Sequence, residues 1–266
     1  MNNLFTVLGA SGYIGSYLVN YLTAQGHTVW IPQRGSLEIF ERKLGHIIYC
    51  AGLTADFRQR PFDTVEAHVT LLAQLLQHAQ FDSLLYLSST RVYMGSNNTE
   101  EEAELVVRPN DPSYLYNLSK LTGESLCRAT GRAGVRVARL SNVVGPGMDW
   151  RAGNLIADLA YQAQQGKIIL YSDPNSAKDY IHIDDVVEWL TLIALGGKYN
   201  IYNVASGIQT THRQWVDWMV QKTNCLIEFT HNGPLQEFPK IKMERLKNEW
   251  PQNKMQEIFD DRIINL

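Results

Sequence analysis

The sequence predicts an α/β fold, a doubly wound parallel sheet with a smaller mixed C-terminal lobe. Three observations carry that expectation. Short apolar runs alternate with amphipathic helical stretches through the first half of the chain. The first run ends in a glycine cluster where a helix begins. Past Gly145 the regular alternation gives way to a looser mix. The expected division is a sheet domain over residues 1–145 and a lobe over residues 146–266, partly interleaved with the sheet.

Each element has its own signal. "LFTVLG" (residues 4–9) is an apolar run closed by glycine, as in a buried strand. In "YIGSYLVNYLTAQG", Ile14, Leu18, Val19 and Leu22 recur at helical spacing, and Gly26 marks the stop. "HTVWI" (27–31) is a second strand, ended by Pro32, and "HIIYCAG" (46–52) a third. Residues 32–45 are too few to hold both a crossover helix and a further strand, so the sheet should lose a strand there or keep a vestige. Val65, Val69, Leu72 and Leu76 form one helical stripe within residues 64–79. "LLYLSS" (84–89) is a fourth strand, residues 114–130 a helix, and "VRVARLSN" (135–142) a fifth strand. The lobe should hold helices in "GNLIADLAYQAQQG", "IDDVVEWLTLIAL" and "TTHRQWVDWMVQKT", with strands in "KIILY" and "YNIYNVA". The tail beyond Pro234 is polar, is broken by Pro239 and Pro251, and suggests no element. Trp189, Trp215 and Trp218 fall in apolar helical patterns and belong to the core; Trp150, after "GPGMD", is a candidate for a cleft wall. The run "EEAE" (101–104) reads as a solvated loop or helix start.

Composition narrows the function. The 266 residues are 45% hydrophobic and 19% charged, enough for a large core. A net charge of −3 gives no electrostatic case for nucleic acid or an anionic membrane. Three dispersed cysteines match neither a disulfide framework nor a metal spacing, and suit reduced thiols in the cytoplasm. No apolar run approaches the roughly 20 residues that span a bilayer, and the first residues lack the pattern of a signal peptide.

The glycine cluster "GASGYIG" contains Gly9, Gly12 and Gly15, with Ser11, Tyr13 and Ile14 between and beside them. Glycines let the backbone turn tightly against a phosphate, and the N–H groups of the following helix point at it. A strand, this turn and a helix read as a Rossmann-like dinucleotide-binding domain. An acidic residue after the second strand would bind the ribose 2′-hydroxyl of NAD. Here the segment is Pro32-Gln33-Arg34-Gly35-Ser36, without a carboxylate. Arg34 can form charge-assisted bonds to a 2′-phosphate and Ser36 can add a hydroxyl. The expectation is a preference for NADP(H), with NAD(H) as the alternative; a solvated loop arginine is the plainer reading of Arg34.

Tyr116 and Lys120, in "YNLSK", are four apart and share a helix face. An ammonium near a phenol favours the phenolate, and such a tyrosine can move a proton to or from an oxygen as hydride moves.

These motifs, taken in order, resemble the extended short-chain dehydrogenase/reductase family, the NAD-dependent epimerase/dehydratase group. The likeness covers roughly residues 4–205 and includes "GASGYIG", "IIYCAG", "LYLSSTRVY", "YNLSKLTGE", "RLSNVVGPG", "KDYIHIDDVV" and "YNIYNVASG". The resemblance implies that Cys50, Ala51 and Gly52 lie along the cofactor. It implies that Ser89 bonds the reacting sugar oxygen, that Tyr116 is the acid/base, and that Lys120 is its partner and holds the nicotinamide ribose. Thr90 and Arg91 then border the substrate, and Asn142 touches a sugar nucleotide. Lys178 stands where many relatives place an arginine on the nucleotide diphosphate, and lacks that residue's bidentate fork. His68 stands where an asparagine is common, and a packed histidine is the favoured reading. The smaller lobe binds the nucleotide, and paired helices from residues 65–76 and 115–126 are candidates for a homodimer.

Sugar dehydratases of this family place an acidic pair directly after the catalytic Thr. Here those positions hold Thr90 and Arg91, which argues against elimination. Three readings remain: an NADP(H)-dependent keto-sugar nucleotide reductase, an NAD(P)-dependent nucleotide-sugar epimerase, and a catalytically silent NADP(H)-binding or sensing protein. The NADP(H) argument favours the first, because a cofactor that leaves each turnover is drawn from a reducing pool. The intact Tyr–Lys pair ranks the silent protein last.

Overall fold

The structure is a computed structural model that describes residues 2–54, 56–230 and 233–264. The chain begins β1 (Leu4–Leu8), α1 (Tyr13–Ala24), β2 (Thr28–Trp30) and β3 (His46–Tyr49). Next comes α2 (Pro61–Val65), continuous through a π-helical turn at Glu66–Thr70 with α3 (Leu71–His78). β4 (Ser83–Ser89), α4 (Leu115–Ala129), β5 (Val135–Leu140) and β6 (Asn142–Val144) follow. The later part adds α5 (Leu155–Gln164), β7 (Lys167–Leu170), β8 (Ala177–His182) and α6 (Ile183–Gly196). It closes with β9 (Ile201–Val204), β10 (Gln209–Thr211), α7 (His212–Thr223), β11 (Leu226–Phe229) and α8 (Glu244–Glu249).

Six strands form the main sheet in the order β2-β1-β3-β4-β5-β9, and every pair is parallel. Its strands read as apolar runs because both faces are covered. Alternate residues serve opposite faces. Phe5, Val7, Ile48, Leu85 and Leu87 pack with Leu18 and Leu22 of α1 and with Val186 and Leu190 of α6. Leu8, Ile47, Tyr49, Leu84 and Tyr86 pack with Leu72, Leu75 and Leu76 of α3. The chain order turns about β1: β2 lies on one side of it and β3 on the other. A crevice therefore opens beyond the ends of β1 and β3, where the glycine turn stands.

The short link between β2 and β3 holds only a 3-10 turn, Leu37–Phe40. Among the described residues no strand lies beyond β2, so the sheet has lost a strand at this edge.

The late chain builds a three-stranded mixed sheet, β10-β8-β6, and a parallel pair, β11-β7. In the three-stranded sheet β6 runs parallel to β8 and β10 antiparallel. Its core gathers Ile156, Leu159, Tyr180, Trp215 and Met219. Trp189 and Trp215 are buried as expected. Two expectations fail. Glu101, placed by sequence in a solvated run, is 4% exposed; its carboxylate accepts the Asn203 N–H and pairs with Arg245. The tail is not featureless either: Ile241, Met243 and Leu246 are buried in the main core and Ile263 in the lobe core.

Candidate active site

The glycine turn is built to exclude side chains. Gly9 has φ +86°, and a Cβ there would stand 2.6 Å from the Ala51 backbone nitrogen. A Cβ on Gly15 would strike the Gly9 carbonyl and lie 2.8 Å from Ala10 Cα. Gly12 precedes α1 with φ −80°, and no side chain caps that helix. Its first N–H groups, at Tyr13, Ile14 and Gly15, are therefore free for an anion. Ser11 is exposed in the turn. A bare trough beside an uncapped helix fits the diphosphate of a dinucleotide.

Cys50, Ala51 and Gly52 form the opposite wall. The Cys50 N–H bonds Leu8 O at 2.8 Å, which ties the end of β3 to β1. Burial pushes the Cys50 thiol up to about 12, against the pull of Lys120. A Cβ on Gly52 would lie 3.0 Å from His68 Nε2 and 3.3 Å from Lys120 Nζ. The turn thus brings the third strand directly against the tyrosine–lysine helix.

Arg34 is exposed in the turn after β2, and among the described residues it has no hydrogen-bond or ion-pair partner. The Ser36 hydroxyl accepts the Glu38 N–H at 3.3 Å and caps the 3-10 turn, leaving its own proton free.

The serine end of β4 and the face of α4 meet. Ser89 accepts the Arg91 N–H at 3.2 Å and caps a 3-10 turn, Thr90–Tyr93. Tyr116 and Lys120 are 4% and 5% exposed. Lys120 Nζ donates to Leu87 O at 2.8 Å and lies 5.9 Å from the Tyr116 ring centre. Burial raises the Tyr116 phenol above its ordinary value; the Ser89 hydroxyl and the Arg91 charge oppose it. This corrects the expectation that the lysine lowers it. Burial also pushes Lys120 down to about 7, with Glu124 and Cys50 opposing.

His68 lies in the π-helical turn and is fully buried. Its Nε2 accepts the Leu53 N–H at 3.3 Å, so the other nitrogen carries the proton and donates to the Ser119 hydroxyl at 2.8 Å. Ser119 in turn donates to Tyr116 O at 2.9 Å. Burial holds His68 neutral, with its pKa down at about 2. A packed histidine was the favoured reading, and its bonds splice the Gly52 wall to the tyrosine helix. π-turns of this kind recur at functional sites.

Thr90 is buried beside Ser89. Arg91 is half-buried, its guanidinium 5.6 Å from the Tyr116 ring centre and 5.3 Å from that of Phe57. Asn142 starts β6 and donates to Asp179 O at 2.9 Å. Lys178, next along β8, lies over Phe238; burial lowers its pKa, and the Arg91 charge lowers it further. The Arg91 charge thus reaches Lys178. Trp150 is 40% exposed and stacks on Tyr161 with ring centres 4.2 Å apart.

Sequence reasoning missed two residues under the site. Arg139 of β5 and Glu124 of α4 form a buried ion pair at 2.6 Å. Ser88 donates to the same carboxylate at 2.5 Å, and Arg139 also donates to the Tyr93 hydroxyl at 2.7 Å. An arginine inside the apolar run "VARL" was the available signal.

The sequence profile of the NAD dependent epimerase/dehydratase family matches residues 5–205. GDP-6-deoxy-D-mannose reductase of Pseudomonas aeruginosa is 28% identical over 262 residues, covering 87% of this chain and 84% of its own. The structure of RMD from Pseudomonas aeruginosa complexed with NADPH superposes with a TM-score of 0.77 at 22% identity, over 100% of this chain and 97% of the other. MoeE5 in complex with UDP-glucose and NAD gives a TM-score of 0.78 at 20% identity, over 98% and 97%. At these identities the structural likeness establishes the fold. Among the described residues no helix is long and apolar enough to cross a membrane.

Proposed function

The chain belongs to the NAD dependent epimerase/dehydratase family, and from that premise we propose that it is an NADP(H)-preferring reductase of a keto-sugar nucleotide. One observation supports the reading. The Ser89 hydroxyl lies against Tyr116, and Lys120 Nζ stands 5.9 Å from the tyrosine ring and beside Gly52, while Arg91 stands where, by the family resemblance, an eliminating enzyme places an acid.

Gly9, Gly12, Gly15 and the first N–H groups of α1 hold the cofactor diphosphate, and Cys50, Ala51 and Gly52 line its path. When bound, the nicotinamide supplies the hydride. Ser89 donates a hydrogen bond to the substrate carbonyl oxygen and polarises it. Tyr116 gives its phenolic proton to that oxygen; its raised pKa suits a group that must be protonated before the step. Lys120, held on Leu87 O, bonds the nicotinamide ribose and stabilises the phenolate that remains. Asn142 and Lys178 bind the nucleotide end of the substrate.

Arg34 and Ser36 bind the 2′-phosphate. The support is an exposed guanidinium, without a partner among the described residues, beside a hydroxyl in a segment, residues 32–36, that lacks a carboxylate. Equilibrium binding of NADPH and NADH tests this. NADPH should bind at least about tenfold tighter, and Arg34→Ala should remove most of that margin. Equal affinities in the wild type would refute the preference. Tightly held NAD in the purified protein would point instead to an epimerase.

A further inference from the structure

We propose that the sugar unit of the substrate itself carries a carboxylate, held by Arg91 and Arg58 beside the reacting carbon. The inference rests on the nucleotide-sugar reading and narrows its substrate class to acidic sugars.

Among the described residues Arg91 is a cation without a counter-ion. Its Nε is buried and has no hydrogen-bond partner there. The one hydrogen bond its guanidinium makes among these residues is long, 3.5 Å, to Ser113 O. No carboxylate forms an ion pair with it or with Arg58 among the described residues. Asp111 is the acid whose charge reaches Arg91, and it is committed to the Ser113 N–H at 2.8 Å. Phe57, 1% exposed, lies beside both arginines: Arg58 Cζ is 4.6 Å and Arg91 Cζ 5.3 Å from its ring centre. The ring is within cation–π reach of both guanidinium groups and brings them to one place.

The Arg58 charge opposes that of half-buried Arg91, and an anion bound between them would relieve both that repulsion and the unpartnered Nε. The place of the arginines decides which anion. Arg91 Cζ lies 5.6 Å from the Tyr116 ring centre and follows Ser89 by two residues, so it borders the reacting ring. Lys178, on β8, serves the diphosphate in the proposed reading. A planar carboxylate on the ring matches the guanidinium fork; a keto or hydroxyl group does not need it.

The test is binding of two matched pairs to the NADP⁺-loaded protein by calorimetry: UDP-glucuronate with UDP-glucose, and GDP-mannuronate with GDP-mannose. In at least one pair the uronate should bind about ten- to a hundredfold tighter. Arg91→Gln should collapse that ratio towards one, and exposed Arg58→Gln, which leaves the core untouched, should reduce it. Equal binding within each wild-type pair overturns the inference and leaves the nucleotide-sugar reading standing. An equal loss for both members of a pair in Arg91→Gln places the arginine on the diphosphate and also overturns it. If none of the four binds, the nucleotide-sugar reading fails and the inference with it.

Discussion

Lys120 works against its own environment. Its ammonium sits among buried groups, and burial brings its pKa from 10.5 to about 7. Below about pH 7 both folded and unfolded chains carry the proton, so the fold bears the full cost of the buried charge. Between pH 7 and 10.5 the unfolded chain still holds a proton that the folded one has lost, and the cost shrinks by about 1.4 kcal/mol per pH unit. Above 10.5 it is gone. Lys120→Met should therefore stabilise the protein most at or below pH 7, with the gain closing as pH rises. Urea unfolding of both proteins at several pH values measures it; a gain independent of pH would contradict the account. Turnover should fall by about a hundredfold or more in the same variant, because the tyrosine loses its partner. Tyr116 was legible from its spacing to Lys120, but the direction of its pKa was not, because burial outweighs the nearby charge.

β4, β5 and α4 are locked together by charge rather than by apolar packing alone. Glu124 receives Arg139 and Ser88, and Arg139 reaches Tyr93, which donates to Asn203 of β9. These contacts hold the serine strand and the tyrosine helix in register. Arg139→Met strands Glu124 without its cation and should cost about 3–5 kcal/mol. A second change, Glu124→Leu, should recover a large part of that loss. Denaturant unfolding of the single and double variants checks it, and additive losses would show that the pair is not coupled. Elements buried on both faces were legible as apolar runs. β8 and β10 were not read as strands, because "AKDYIH" and "QTT" mix polar residues that serve the cleft and the turns around it. The π-helical turn at Glu66–Thr70 leaves no periodic trace, since one shifted turn hardly alters an apolar stripe.

At the scale of the whole molecule, the glycine turn lies at the switch point of the main sheet, and β8 carries Lys178 in the smaller mixed sheet. The broad architecture and the site motifs were legible because both obey local rules of spacing and chain reversal. The buried tail was not: Ile241, Met243 and Leu246 are scattered among polar residues and prolines, and only tertiary contact gives them a common face. Arg139 left a signal as a charge inside an apolar run, but its pairing with Glu124 did not, since the partners come from different elements. The central claim is hydride transfer to a keto-sugar nucleotide with Tyr116 as proton donor. Mixing the protein with NADPH and a panel of keto-sugar nucleotides, and following reduced-nicotinamide absorbance, tests it most directly. The account predicts a fall in absorbance matched mole for mole by the sugar alcohol, slowed about a hundredfold or more in Tyr116→Phe while NADPH affinity stays within about threefold. Unchanged absorbance across the panel, or a Tyr116→Phe variant as fast as the wild type, would contradict it.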